Sequence, residues 1–217
     1  MALRNSVWLP ILIAGATLLS GPADAGNRPQ HDTNSSATLI AEASPTLAPF
    51  QHVRFCLRYP SECKLDATEI ERIDLTPENS ALLERVNRSV NSAIAPTIKG
   101  NGSEPREGWT IAPALGDCND YAVTKRHELL SAGLPARALR LSVVKTVSGI
   151  GHLVLVVSTT RGDMVLDNLT ETIRSWHRTD YQWLKIQSSA DARYWYEVKF
   201  TGGAISRLDR KTRLADR

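Results

Sequence analysis

A cysteine, a histidine and an aspartate at three separate points of the chain have the types needed for nucleophilic acyl transfer. Cys118 lies in Leu115-Gly116-Asp117-Cys118-Asn119-Asp120-Tyr121-Ala122, where a loop with Pro113 and Gly116 runs into a helix-patterned segment reaching Leu130 and stopping at Gly133. Asp117 is suited to cap that helix, because its carboxylate can accept from the amides of the first turn. Cys118 then falls at or beside the first helical position, where unpaired amides and the positive end of the dipole favour a thiolate. The thiolate is the nucleophilic form of cysteine; a buried structural cysteine is the alternative. His152 opens an apolar strand after Gly149-Ile150-Gly151, and Asp167 closes the next strand before Asn168. Such a histidine can take the thiol proton and pass it to a leaving group, while the acid fixes the ring tautomer. A lone strand-edge histidine with a structural role is the competing reading. Counted outward from Gly162 in the Arg161-Gly162-Asp163 turn, His152 is ten residues back and Asp167 five forward. A simple hairpin therefore does not oppose them, and a bulge, a longer loop or strand slippage is required. Among the other histidines, His31 falls in a linker, His52 near the domain edge and His177 in a polar loop. His127 is nine residues along the Cys118 helix, about 13 Å away at 1.5 Å per residue.

The elements that must hold these residues follow the order helix, helix, sheet. Thr76-Pro77-Glu78 opens a helix with a hydroxyl cap, a proline at the first position and an acid in the first turn. Leu82, Leu83, Val86, Val90, Ala93 and Ile94 recur at three- and four-residue spacing until Pro96. Asn87 and Asn91 sit beside that apolar face and read as a solvated flank. Residues 99–108 form a polar loop, followed by Trp109, which either lines a cleft beside the cysteine or packs in the core. The Cys118 helix carries Ala122, Val123, Leu129 and Leu130 inward, with Gly133 after its end and Pro135 beyond. The period then changes to that of strands over 138–147, 153–158, 164–166, 181–186 and 194–200. The layout is α+β, with helices on an antiparallel sheet.

Composition limits what surrounds this domain. The 217 residues are 42% hydrophobic and include five tryptophans, enough for one core, expected over 50–200. Residues 1–25 carry Arg4, an apolar run from Val7 to Leu19 broken by Pro10, and Ala23-Asp24-Ala25, the pattern of a cleaved secretory signal. The run is too short and broken to suit a membrane span, although an uncleaved anchor is the alternative. Residues 26–49 read as a flexible linker and 201–217 as a basic tail interrupted by Asp209 and Asp216. A net charge of +3 is too small to argue for a nucleic-acid partner. Cys56 and Cys63, seven apart across Pro60, can close a disulfide in an oxidising compartment, which leaves Cys118 as the odd thiol.

Gly116-Asp117-Cys118-Asn119-Asp120-Tyr121-Ala122, Leu134-Pro135, Leu139-Arg140-Leu141, His152-Leu153-Val154-Leu155 and Leu166-Asp167-Asn168-Leu169 together resemble the bacterial transglutaminase-like cysteine proteinases, over about Phe55 to Gln187. That family has a papain-like, transglutaminase-like fold, with the nucleophile at a helix N-terminus against an antiparallel sheet, and holds the LapG-type periplasmic adhesin proteases. The resemblance implies Cys118 as nucleophile, His152 as base and Asp167 as orienter. In LapG-type members an aspartate before the cysteine and a glutamate after it help bind calcium. The matching positions here are Asp117 and Asn119, so one carboxylate is replaced by an amide and a calcium site is weakened; the bland roles are helix cap and first-turn residue. Asp120 serves the helix dipole rather than a metal. The resemblance also implies an exported or surface protein substrate and a membrane regulatory receptor responding to cyclic di-GMP. Three functions are thus in view: a monomeric periplasmic cysteine peptidase, a transglutaminase or acyltransferase using the same triad, and a binding module with the thiol unused.

Overall fold

A computed structural model describes residues 39–64, 66–97 and 108–199. The chain divides into two units, 1–31 and 32–217, and every statement below concerns the second. The expected secretory signal over 1–25 and the basic tail over 201–217 lie outside the described residues.

The described residues form β1 (Ala41–Thr46), α1 (Phe50–Arg58), α2 (Pro77–Ala93), β2 (Ala95–Pro96), β3 (Leu115–Gly116), α3 (Cys118–Ser131), β4 (Leu139–Lys145), β5 (Gly151–Thr159), β6 (Gly162–Leu166), β7 (Arg174–Ser175), β8 (Gln182–Gln187) and β9 (Trp195–Lys199). Seven strands make one antiparallel sheet in the order β1-β9-β8-β4-β5-β6-β7. The α+β expectation is met. Both faces of the sheet are covered, which is why β5 has an uninterrupted Leu-Val-Leu-Val-Val run instead of alternation. Leu153, Leu155 and Val157 join Val86, Val90, Val123 and Leu129 of the helices in one core cluster. Val154 and Val156 join Val165, Trp176, Trp183 and Ile186 in another. No helix among the described residues is long and apolar enough to cross a membrane.

The linker expected over 26–49 contains β1. Its Ala-Glu-Ala-Ser-Pro-Thr sequence has little strand character, and its pairing with β9, some 150 residues later, creates the strand. Pro45 is tolerated because β1 is an edge. Cys56 on α1 and Cys63 in the 3₁₀ turn Pro60–Cys63 are joined by a disulfide, with their Cα atoms 5.5 Å apart. The short β2–β3 pair is parallel, and it ties the end of α2 to the start of α3.

Gly116 is where that tie is tightest. A Cβ built there would meet Ile94 Cγ2 at 2.8 Å and Asp120 Cβ at 2.9 Å, so only glycine lets β3 pass between α2 and α3. Gly116→Ala is expected to destabilise by about 1–3 kcal/mol through overpacking, seen as a lowered Tm together with slower alkylation of the neighbouring Cys118. Unchanged values of both would remove the close-approach argument.

Candidate active site

Cys118 is the first residue of α3. Asp117 caps the helix, its Oδ1 accepting from Asn119 N at 3.0 Å, and Asp120 Oδ2 accepts from Asp117 N at 3.0 Å to complete a reciprocal box. Asp120 Oδ1 also accepts from Thr110 N at 2.8 Å, tying the Trp109 segment to the cysteine helix. Asp120 thus works through hydrogen bonds as well as through the helix dipole. The backbone N–H of Cys118 is not used by the box and belongs to the first-turn donors that helices leave unpaired.

His152 and Asp167 meet without a bulge. Thr159 pairs with Gly162 around the two-residue turn Thr160-Arg161, and the register runs unbroken to Leu155 opposite Leu166. One further step sets Asp167 level with Val154, so His152 is its diagonal cross-strand neighbour, within reach of two side chains. Counting from Gly162 misplaces the turn, which lies between residues 160 and 161; the apparent need for a bulge or slippage came from that offset. His152 Nε2–H donates to Asp167 Oδ1 over 2.8 Å. With Nε2 engaged on Asp167, Nδ1 is the ring nitrogen left for the thiol of Cys118, which interacts with the ring. Burial pulls the His152 pKa down, but hydrogen bonds to Asp167 and Cys118 and their negative charge overcome it and raise it to about 9. Asp167 is held below the usual carboxylate range: burial opposes this, and His152, the Leu169 amide and Tyr181 outweigh it.

The sequence reading assigned no part in the site to four polar side chains around Asp167. Tyr181 O–H donates to Asp167 Oδ2, and its ring stands edge-on to His152 with centroids 5.7 Å apart. Asn91 Nδ2 donates to the Asp167 carbonyl at 3.0 Å, and Asn87 Nδ2 donates to the Glu171 carbonyl at 3.0 Å. The two asparagines therefore clamp the loop after β6 onto α2 instead of forming a solvated flank. Lys125, two turns along α3 from Cys118, is 1% exposed, and its Nζ has no hydrogen-bond partner. Burial pulls its pKa down to about 7 against the attraction of Asp167.

A cleft of about 320 Å³ opens over the thiol, lined by Phe50, Gln51, Trp109, Cys118, His152 and Leu153 among others. Trp109 fills both roles considered for it, lining the cleft while only 5% exposed and packed on Phe55. A larger cavity of about 500 Å³ lies against Asp167 and Tyr181 and does not include Cys118. The other described histidines are committed elsewhere. His52 is buried among Trp109, Trp195 and the disulfide, and burial with the nearby Arg126 charge pulls its pKa down to about 4. His127 Nδ1 bonds Glu62 Oε1 at 2.6 Å, and His177 packs on Trp176. The arrangement at Cys118 can therefore generate a thiolate, stabilise an imidazolium beside it and offer a backbone donor to a developing oxyanion.

The profile of the family described as bacterial transglutaminase-like cysteine proteinase matches residues 42–202. No curated protein sequence matches the chain. Among solved structures, calcium-bound Legionella pneumophila LapG is 21% identical, with a TM-score of 0.48, over 65% of this chain and 82% of its own. The EGTA-treated form is 22% identical, with a TM-score of 0.48, over 66% and 81%. A further structure of LapG from that organism is 23% identical, with a TM-score of 0.47, over 66% and 79%.

Proposed function

The chain belongs to the bacterial transglutaminase-like cysteine proteinases, and on that premise we propose that it is an exported cysteine endopeptidase cleaving a protein substrate through a Cys118 acyl-enzyme. The observation that carries this reading is the pinned imidazole, with Nε2 on Asp167 and the ring in interaction with a thiol at a helix start. The Cys118 sulfur attacks the scissile carbonyl carbon, and the oxygen that becomes negative is met by the Cys118 N–H. His152 gives its Nδ1 proton to the leaving amine as the C–N bond breaks. Water then attacks the thioester while His152 takes its proton, and the thiolate leaves. Asp167 stays ionised throughout, holding the ring and balancing its charge.

Export is supported by the leader-like pattern of 1–25 and by the Cys56–Cys63 disulfide, which suits an oxidising compartment. The substrate is then an exported or surface-held protein met by a monomeric enzyme. A membrane regulatory receptor enters from the family resemblance alone. Calcium enters through Asp117 and Asn119, each able to offer a side-chain oxygen, the hard donor that cation takes. As the two stand, Asn119 Nδ2 donates to Asp117 Oδ1 at 2.8 Å, so the pair faces inward and supplies a small part of a shell of six to eight oxygens. Bound there, the ion would supply positive charge beside the thiolate, with a dissociation constant of about 10⁻⁴–10⁻³ M.

The test uses purified protein and an unstructured peptide library, with new termini read by mass spectrometry and Cys118 alkylation followed from pH 5 to 9. Cleavage and fast alkylation are expected, with cleavage lost in Cys118→Ala and alkylation slowed at least 10-fold in His152→Ala. Titrating calcium into chelator-treated protein is expected to move either rate only in the submillimolar range. Incorporation of an added amine without new termini would replace hydrolysis by acyl transfer. Alkylation no faster than a free thiol, unchanged by His152→Ala, would leave a binding module.

A further inference from the structure

We infer that Tyr181 is a positioning residue of this site, fixing the Asp167 carboxylate by its second oxygen so that the first is presented to His152; the inference rests on the proposed Cys118–His152–Asp167 reading. The hydrogen-bond inventory of Asp167 carries it. Oδ1 accepts from His152 Nε2 at 2.8 Å and from Leu169 N at 3.0 Å, and Oδ2 accepts from Tyr181 O–H. Rotation about the carboxylate's terminal bond would exchange the two oxygens and withdraw the acceptor from His152. The Leu169 amide restrains Oδ1 alone, from only two residues away. Tyr181 is the side chain that pins the opposite oxygen, so the plane of the carboxylate is held at both ends.

The surroundings give the phenol a second task. Asp167 and Tyr181 share the wall of the 500 Å³ cavity, whose lining does not include Cys118. Asp167 is nevertheless 3% exposed. The phenol covers the oxygen that water in that cavity would otherwise solvate. An ion pair kept from water is stronger, and its geometry is less readily relaxed. The Tyr181 ring also packs against the His152 ring, at an interplanar angle of 61°.

The other charges around the carboxylate are accounted for by element. From β5 comes His152, with Cys118 of α3 beyond it. Lys125 of α3 acts on Asp167 from within the core. Asn91 of α2 is neutral and bonds the Asp167 backbone. Arg174 of β7 and Asp180 act with opposite sign on Tyr181. Asp167 pushes the Tyr181 hydroxyl well above its ordinary range, second to burial, so the phenol remains a donor at every pH at which the enzyme would work.

The experiment is the pH profile of Cys118 alkylation by iodoacetamide in wild-type protein and Tyr181→Phe, with thermal unfolding measured alongside. Phenylalanine keeps the ring against His152 and removes only the hydroxyl. The acid limb of the variant is expected to move up by about one pH unit, the size of a hydrogen bond to a charged group, with a rate loss at pH 7 of less than about 10-fold. A hydroxyl that merely stabilised the fold would lower Tm and leave the limb in place. Replacing the five tyrosines by 3-fluorotyrosine, whose more acidic hydroxyl donates more strongly, is expected to move the same limb down. This arm holds even if Tyr181→Phe does not fold. An acid limb that stays put in both proteins overturns the inference. Alkylation needs no substrate, so the test is independent of whether the acyl group goes to water or to an amine.

Discussion

Asp167→Ala is expected to lower kcat/KM for peptide cleavage by about 10³–10⁴-fold with KM little changed, the loss seen when the orienting acid of such a triad is removed. Three effects coincide. His152 Nε2 loses its carboxylate acceptor and with it the tautomer that leaves Nδ1 for the thiol. The imidazolium formed during thiol deprotonation is left buried without a counter-charge. The Asp167 carboxylate also attracts Lys125, so its removal leaves that buried amine without the charge that partly offsets its burial. Stability should report the same pair. The His152 pKa is raised from 6.5 to about 9, so its contribution is complete below pH 6.5 and is lost as the pH rises through about 9. The Asp167 pKa is lowered from 3.8, so its contribution is complete above about 3.8 and is lost as the pH falls through its folded-state value. The Tm gap between wild type and variant is therefore expected to be widest between about pH 4 and 6.5 and to narrow toward pH 9. A gap that is flat from pH 5 to 10 would mean that the two residues are not coupled as an ion pair.

The parts of this site that could be read from sequence are those whose physics is local. Asp117, Cys118 and the end of α3 at Gly133 follow rules spanning three or four residues, and the structure places them as the pattern predicts. His152 and Asp167 were legible as residues, since each borders an apolar strand, but their contact depended on where the turn falls. An error of one and a half residues in the turn centre doubles in the count to the partner, which turned a diagonal pair into an apparent mismatch. The roles of Tyr181, Asn87 and Asn91 were not legible, for a different reason. Asn91 meets Asp167 across 76 residues and Asn87 meets Glu171 across 84. No periodicity distinguishes a helix asparagine that clamps a loop from one that faces water. β1 failed similarly, because its strand character comes from β9 and not from its own side chains. What could be foreseen was the chemistry and the element carrying each group; what could not was the polar scaffolding that makes the spacing exact enough to use.

The largest stability effect is expected from a residue outside the cleft. Glu62→Ala should destabilise the fold by about 3–5 kcal/mol, the cost of breaking a buried ion pair from one side. For a domain of this size that lowers Tm by about 6–20 °C. Glu62 stands in the 3₁₀ turn beside Cys63, and its Oε2 is 2.9 Å from Arg126 Nη1 on α3. That nitrogen also donates to the Glu62 carbonyl at 2.7 Å, and Arg126 Nε donates to the Leu139 carbonyl at 3.0 Å. The guanidinium thus joins the disulfide turn, the cysteine helix and the first residue of β4. Burial pulls the Arg126 pKa down and the charges of Glu62 and Glu69 oppose it, so removing the Glu62 carboxylate leaves a cation in the core hydrogen-bonded to carbonyls and offset by Glu69. The second bond of Glu62, to His127, is worth little by comparison, since that ring is 45% exposed. Two further variants separate charge from packing. Glu62→Gln retains the shape and an acceptor and should lose less than the alanine. The pair Glu62→Leu with Arg126→Met should recover most of the loss, because removing both charges removes the orphan. If the double variant were as unstable as Glu62→Ala, the carbonyl bonds of Arg126 and not the ion pair would be holding α3 in place. Alkylation of Cys118 in the double variant then shows whether the helix start keeps its position: a rate near wild type means that the cap at Asp117 and the close pass at Gly116 are sufficient to aim the thiol at His152.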